Sequence, residues 1–335
     1  MSKPDPRTAP FGSVFTDLMA IATYQDGAWS GFELVPTGAL SLHPAAHALH
    51  YCSSCFEGFK AYRRADGGIH VFRLDRHIER LRQSARQLVL PEPEGKLVRG
   101  MVLALVDRSR GEVPESPGSL YVRPLLFGTT QNIGAAATPA DQATLVVLAS
   151  PVWDYFAGGM KPLRILMAPA ARSAPHLGVV KTGGNYAAAL GPTLAARREH
   201  QADQVLFCPG GEVQETGAAN FLLLRERQIL TRSLDSTFLH GVTRDSLLTL
   251  ARDLGYTVQE RIVTVAETLE WVANGEAALS GTAAVLAGVG TLIWQGREVP
   301  VADGGVGPVT RALRAALVDV QRGTTPDRFG WLTAV

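Results

Sequence analysis

The chain runs in two apolar rhythms. Over 74–89, Leu74, Ile78, Leu81, Ala85, Leu88 and Val89 recur mostly at steps of three and four, which predicts an amphipathic helix. Asp75 reads as its N-cap, and Pro91 and Pro93 stop it. The same phase sets Arg80 opposite the apolar stripe, as a solvated arginine, with Arg82 nearer the core. A second amphipathic helix is expected over 97–110. Residues 48–55, Ile69–Phe72, 121–128 and 144–150 are short, strongly apolar runs and read as strands.

Proline and glycine then enclose aromatics, from Pro151 through Trp153, Tyr155 and Phe156 to Gly159 and Pro162, which is the composition of a link between domains. Past it, strands are expected over 164–168, 205–208, 212–215 and 220–224, with Pro209-Gly210-Gly211 as a hairpin signal. Helices are expected over 185–200, over 243–254 with Gly255 closing it, and over Pro308–Arg322. Residues 277–294 carry no charge, but Ser280, Gly281, Thr282, Gly288 and Gly290 interrupt them, so they read as buried strands and not as a membrane span. Strands and helices mix without regular βαβ alternation, so the expected class is α+β. The expected layout is a small α/β domain over 1–152, a link over 153–161 and a larger domain over 162–335.

Composition narrows the function classes. With 335 residues, 46% hydrophobic and 19% charged, the chain can bury a large core, and disorder, collagen and coiled coil are excluded. Lys+Arg 32 against Asp+Glu 31 leaves +1, which gives no bulk pull toward nucleic acid or acidic membranes. The three cysteines, Cys52, Cys55 and Cys208, make no disulfide framework, and no apolar leader follows Lys3 and Arg7, so the cytoplasm is the expected compartment.

Four features carry candidate chemistry. His43, His47, His50, Cys52 and Cys55 are ligand types for zinc, but no second cluster completes a site, and the favoured reading is a buried strand with no metal. Gly241-Val242-Thr243 opens a helix whose N–H groups suit a phosphate, as does Ser280-Gly281-Thr282; each also reads as ordinary capping. Lysine is rare in this chain, and Lys181 sits in Val179-Val-Lys-Thr-Gly-Gly-Asn-Tyr186, as a partly desolvated nucleophile or as a strand-end lysine reaching for water. Glu215 is either a solvated turn residue or a carboxylate that keeps a heteroaromatic nitrogen protonated.

Seven motifs follow in order: Leu49-His-Tyr-Cys-Ser-Ser-Cys-Phe-Glu-Gly58, His77-Ile-Glu-Arg-Leu81, Tyr121-Val-Arg-Pro-Leu125, Lys181-Thr-Gly-Gly-Asn-Tyr186, Glu215-Thr-Gly-Ala-Ala-Asn220, Gly241-Val-Thr-Arg-Asp245 and Ser280-Gly-Thr-Ala-Ala284. Together, from about residue 38 to Trp331, they resemble the branched-chain amino acid aminotransferases, which are fold-type-IV pyridoxal phosphate enzymes. The resemblance implies a two-domain fold with the active site at the domain interface, the larger domain binding the cofactor, and a homodimer or higher homo-oligomer. It implies that Lys181 carries pyridoxal 5'-phosphate covalently, Tyr186 meets its ring hydroxyl and Glu215 its ring nitrogen. Arg80, Val242, Thr243, Gly281 and Thr282 match the phosphate cup. Tyr121, Thr282 and Ala283 match the grip on the substrate α-carboxylate, and Arg123 matches the receptor for the side-chain carboxylate of glutamate. Tyr51, Phe56 and Tyr155 match the apolar side-chain pocket, part of which, the resemblance implies, comes from the partner subunit. The activity implied is reversible amino transfer between Leu, Ile or Val and 2-oxoglutarate. The rival readings are a sister activity on the same fold (D-amino acid or amine transamination, or aminodeoxychorismate cleavage) and a non-catalytic binding protein.

Overall fold

The computed structural model describes residues 4–153 and 159–335. Within it, two units form: one from Met1–Tyr155, Val180–Gly183 and Val320–Val335, the other from Phe156–Val179 and Gly184–Asp319.

In the first unit the strands are β1 (Leu18–Gln25), β2 (Ala28–Trp29), β3 (Glu33–Pro36), β4 (Ser54–Phe56), β5 (Phe59–Arg63), β6 (Ile69–Phe72), β7 (Ser119–Gly128) and β8 (Ala143–Val152). With a C-terminal strand, Leu332–Ala334, they make an antiparallel sheet in the order Leu332–Ala334, β6, β5, β7, β8, β1, β2. β3 pairs with β1, and β4 with β7. Helices α1 (His47–Tyr51), α2 (Leu74–Gln87) and α3 (Gly95–Arg108) interrupt the strands. Leu74, Ile78, Leu81 and Ala85 of α2 join Val98, Met101, Val102 and Leu105 of α3 and alternate residues of the sheet in one core. Along β7 the even positions from Leu120 to Gly128 are buried and the odd ones half-buried, so Tyr121 and Arg123 share a face.

Three local expectations change here. Residues 48–51 are helical: Leu49 is 59% exposed, so the apolar run does not face a core, and Cys52 at φ 53 turns the chain into β4. Asp75 does not cap α2; it pairs with Arg99, and the cap position is Arg73 at φ 54, whose N–H donates to the Trp331 carbonyl. Arg80 is buried and Arg82 half-buried, the reverse of the helical phase, because a carboxylate from another element waits under Arg80.

The second unit holds β9 (Leu163–Ala168), α4 (Gly183–His200), β10 (Gln204–Phe207), β11 (Asn220–Arg225), β12 (Gln228–Thr231), α5 (Val242–Asp253), β13 (Thr257–Glu260), α6 (Val265–Trp271), β14 (Glu276–Gly281), β15 (Val285–Trp294), β16 (Arg297–Pro300) and most of α7 (Pro308–Arg322). Its sheet runs β10, β9, β15, β14, β11, β12, β13, with parallel pairs β9–β10, β9–β15 and β12–β13, and β16 beside β15. The uncharged stretch is thus a buried hairpin of β14 and β15, and among the described residues no helix is long and apolar enough to cross a membrane. After the 3-10 turn Pro209–Gly211 the chain does fold back, with Gln214 N–H donating to Phe207 O at 3.0 Å, but 212–215 makes isolated bridges instead of a strand.

Candidate active site

In the first unit the site grows from Phe56-Glu57-Gly58. Lys181 is clipped to it by main-chain bonds: its N–H donates to Ser84 Oγ of α2 at 3.1 Å, and its carbonyl accepts from Phe56 N–H at 3.0 Å. Its Nζ lies 5.0 Å from the Phe56 ring centre. Next to Phe56, Glu57 is fully buried and takes Arg80 in a fork, Nε to Oε1 at 2.6 Å and Nη2 to Oε2 at 2.9 Å. His77 Nδ1 meets Oε2 at 2.7 Å. Burial by itself would raise the Glu57 carboxyl; Arg80 and His77 outweigh it and hold it well below the usual carboxylate range. Burial lowers His77 below the ordinary imidazole value against the pull of Glu57, so the neutral ring donates its Nδ1–H. The sequence pattern gave Glu57 no role, since its partners lie more than five turns of helix or several strands away along the chain.

On the half-buried face of β7, Arg123 Nη2 donates to Tyr121 Oη at 2.8 Å. The guanidinium lies 4.5 Å from the Phe56 ring centre, so Phe56 sits under both Arg123 and Lys181. Arg123 Nε is buried without a hydrogen bond among the described residues. Tyr121 and Arg123 line a cavity of about 270 Å³ with Phe11, Phe15 and Leu148; Phe56 is not among its lining residues. Phe11 and Phe15 were not singled out in the sequence because nothing in the chain's first segment marks it as part of a site. Gly58 must be glycine, as a Cβ there would fall 1.9 Å from Tyr121 Oη. Tyr51 does not line this cavity; its hydroxyl donates to the Ile133 carbonyl. Tyr155 lies outside the described residues.

In the second unit the turn Glu215–Asn220 organises the site. Thr216 Oγ1 accepts from Ala218 and Ala219 N–H, which tightens the turn and brings Glu215 opposite Asn220. Glu215 is 2% exposed. Its Oε1 accepts from Leu239 N–H at 3.0 Å and lies 3.1 Å from Arg172 Nε; its Oε2 accepts from Asn220 Nδ2 at 3.3 Å. Glu215 is therefore a buried carboxylate with hydrogen bonds from Leu239 and Asn220 and an ion pair with Arg172, and not a solvated turn residue. Arg172 also sits 5.6 Å from the Tyr186 ring centre, so it joins two of the expected cofactor residues; no local pattern marked it in the sequence. Asn220 ties in the rest. Its register partner is Ser280, beside Gly281, and it packs against Gly241, where a Cβ would strike its Oδ1 at 2.1 Å. Gly241 caps α5 with no side-chain hydrogen bond, ahead of the buried Val242 and Thr243. Thr282 and Ala283 are half-buried in the turn that Val285 closes at φ 63, a conformation that costs a β-branched residue about 1–3 kcal/mol.

The histidine–cysteine cluster is spent on local contacts. His43 Nδ1 accepts from Ala45 N–H, His47 meets Ser53 Oγ at 2.8 Å, and His50 meets the Pro44 carbonyl at 2.9 Å. Burial pushes the Cys55 thiol up, and that of Cys208 up to about 12. Among the described residues no group of three His, Cys, Asp or Glu side chains gathers as a metal site requires.

These arrangements have relatives among known proteins. The amino-transferase class IV family matches residues 54–291. The chain belongs to that family. Within it, a probable branched-chain-amino-acid aminotransferase of Streptomyces coelicolor is 41% identical over 96% of this chain and 91% of its own length. The branched-chain-amino-acid aminotransferase of Mycobacterium tuberculosis is 37% identical, covering 97% of this chain and 92% of its own. Among solved structures, the branched-chain aminotransferase of the archaeon Thermoproteus uzoniensis with norvaline aligns with a TM-score of 0.77 at 25% identity, over 95% of this chain and 99% of that one. The branched-chain amino acid aminotransferase of Escherichia coli aligns with a TM-score of 0.75 at 26% identity, over 95% and 98%.

Proposed function

We infer that this chain is a pyridoxal phosphate-dependent branched-chain amino acid aminotransferase, moving an amino group reversibly between Leu, Ile or Val and 2-oxoglutarate. The observation that carries this reading is the near-full-length relationship to proteins of that name at up to 41% identity. The donor set suits the cofactor: a buried carboxylate fixed by three partners at Glu215, a buried arginine at Arg80, and an uncapped helix start at Gly241. When bound, pyridoxal phosphate supplies the electron sink that makes the substrate Cα–H acidic.

The roles we propose follow from the chemistry of each side chain. Lys181 would hold the cofactor through its amine and, once displaced, would carry the proton from the substrate Cα to the cofactor's C4′ carbon. Glu215 accepts the N–H of the cofactor ring, and Tyr186 meets its hydroxyl. Arg80, Val242, Thr243, Gly281 and Thr282 hold the phosphate, with Glu57 fixing the plane of Arg80. Tyr121, Thr282 and Ala283 take the α-carboxylate. Phe56 and Tyr155 receive the aliphatic side chain. An apolar cavity with a single guanidinium, Arg123, suits a site that must take both a branched aliphatic side chain and that of glutamate. We also propose that the protein works as a homodimer or higher homo-oligomer in the cytoplasm.

The test is a substrate panel on the purified protein. Amino transfer from L-leucine, L-isoleucine or L-valine to 2-oxoglutarate is expected to exceed by far that from D-alanine or an arylethylamine. Faster turnover of either of the latter two would transfer the assignment to a sister activity. Light scattering of the same sample reads the assembly, and a monomer mass would remove that part of the proposal.

A further inference from the structure

Glu215 has an unusual neighbour for a group meant to receive a proton-bearing nitrogen. Arg172 is 2% exposed and reaches the Glu215–Asn220 turn twice, with Nε 3.1 Å from Glu215 Oε1 and Nη1 donating to the Gly217 carbonyl at 3.5 Å. Its Nη2 is buried and makes no hydrogen bond among the described residues. A buried cation spends desolvation free energy, and it is retained where its charge acts on something close. Its ion-pair partner is Glu215. Two further partners of that carboxylate, Leu239 N–H and Asn220 Nδ2, are neutral donors.

A carboxylate beside a ring nitrogen shares one proton with it. The proton rests on nitrogen, giving an ion pair, or on oxygen, giving a neutral pair. A cation 3.1 Å from the oxygen stabilises the charged carboxylate directly, and so would favour the ion pair. The electron sink depends on the nitrogen holding that proton. Resting on the cofactor reading above, we propose that Arg172 is a positioning residue that keeps Glu215 ionised, so that the ring nitrogen and not Glu215 carries the shared proton. Its place over the Tyr186 ring, 5.6 Å from the centre, lets the same guanidinium fix the two groups expected to flank the cofactor ring.

The experiment uses holoprotein loaded with pyridoxal phosphate carrying 15N in the ring, with the nitrogen shift reporting its protonation. Wild type should show a protonated nitrogen. Arg172→Met should move it to the unprotonated shift, since loss of an opposite charge at this range changes the ratio of the two proton positions by roughly 10- to 1000-fold. Arg172→Lys should keep the protonated shift. In leucine turnover Arg172→Met should lose kcat by about tenfold or more with KM little changed, and Arg172→Lys should recover most of it. A purely structural arginine would lower the melting temperature and leave the nitrogen shift where it was. An unprotonated nitrogen in wild type overturns the proposal without any variant being needed, and so does a protonated one in Arg172→Met. Failure of the label to bind at all would instead remove the cofactor reading, and this proposal with it.

Discussion

Replacing Glu57 by glutamine keeps its shape and removes its charge, which isolates what the buried triad contributes. Glu57 is fully buried, and it holds Arg80 at 2.6 and 2.9 Å and His77 at 2.7 Å. The variant leaves a guanidinium that is 8% exposed facing a neutral amide. Breaking a buried pair from one side costs about 3–5 kcal/mol. For a unit of this size each kcal/mol is worth about 2–4 °C, so the melting temperature of apo Glu57→Gln should fall by roughly 6–20 °C. Differential scanning calorimetry on cofactor-free protein at neutral pH reads this directly. The double variant Glu57→Gln with Arg80→Gln should recover at least half of the loss, because no unpaired charge remains. A single variant that melts within about 2 °C of wild type would refute the reasoning. So would a double variant that melts lower than the single.

Lys181→Ala should fold normally, since both main-chain bonds that clip residue 181 survive the change, and should lose leucine turnover by roughly 10²–10⁴-fold from the missing proton carrier alone. Wild-type turnover in that protein would end the assignment of Lys181. Arg123→Met removes a charge-assisted bond of about 1.5–3 kcal/mol, so kcat/KM for glutamate should drop roughly ten- to a hundredfold while single-turnover rates with leucine change little. Equal losses in both half-reactions would mean that Arg123 does not discriminate between substrates. Acid should weaken the fold through two buried histidines. Burial holds His77 and His70 below the ordinary imidazole value, so the folded chain keeps them neutral while the unfolded chain takes up protons below about pH 6.5. Their contribution is complete above that pH and is lost as pH falls through the folded values. The melting temperature should therefore decline from pH 7 to 5, and less steeply in His77→Asn; parallel profiles would exclude His77 as a source.

Periodic elements were legible from the chain because their signal is local. The stripe from Leu74 to Ala85 is α2, and Ile69–Phe72 and Pro308–Arg322 have the bounds that their patterns suggest. What failed depends on distant partners. Asp75 has the residue type of a cap, but the Trp331 carbonyl takes the N–H of Arg73 and sets the helix start. Arg80 lies on the wrong side of its helix by phase and is buried because Glu57 arrives from a strand connection. Candidate site residues were found through ordered motifs and not through any one pattern. Phe56-Glu57-Gly58 was visible as a motif, yet the work of Glu57 was not, and Arg172 sits among alanine, serine and proline with nothing around it to mark a charge that must be buried. The stretch expected to link two domains shows the limit in another way: its Tyr155 carries an expected role but lies outside the described residues.

The pairing of Leu332–Ala334 with β6 has a practical side for anyone dissecting the chain. A fragment ending after β8 would carry β1 to β8 and look like a whole domain by sequence, yet it would lack both the strand that covers β6 and the stretch Val180–Gly183. Its outer edge at His70, Val71 and Phe72 would then present unpaired N–H and C=O groups, a template on which a second fragment can add. Such a piece should aggregate during expression, and supplying the C-terminal residues through a short linker, as in a circular permutant, is the change that should bring it into solution.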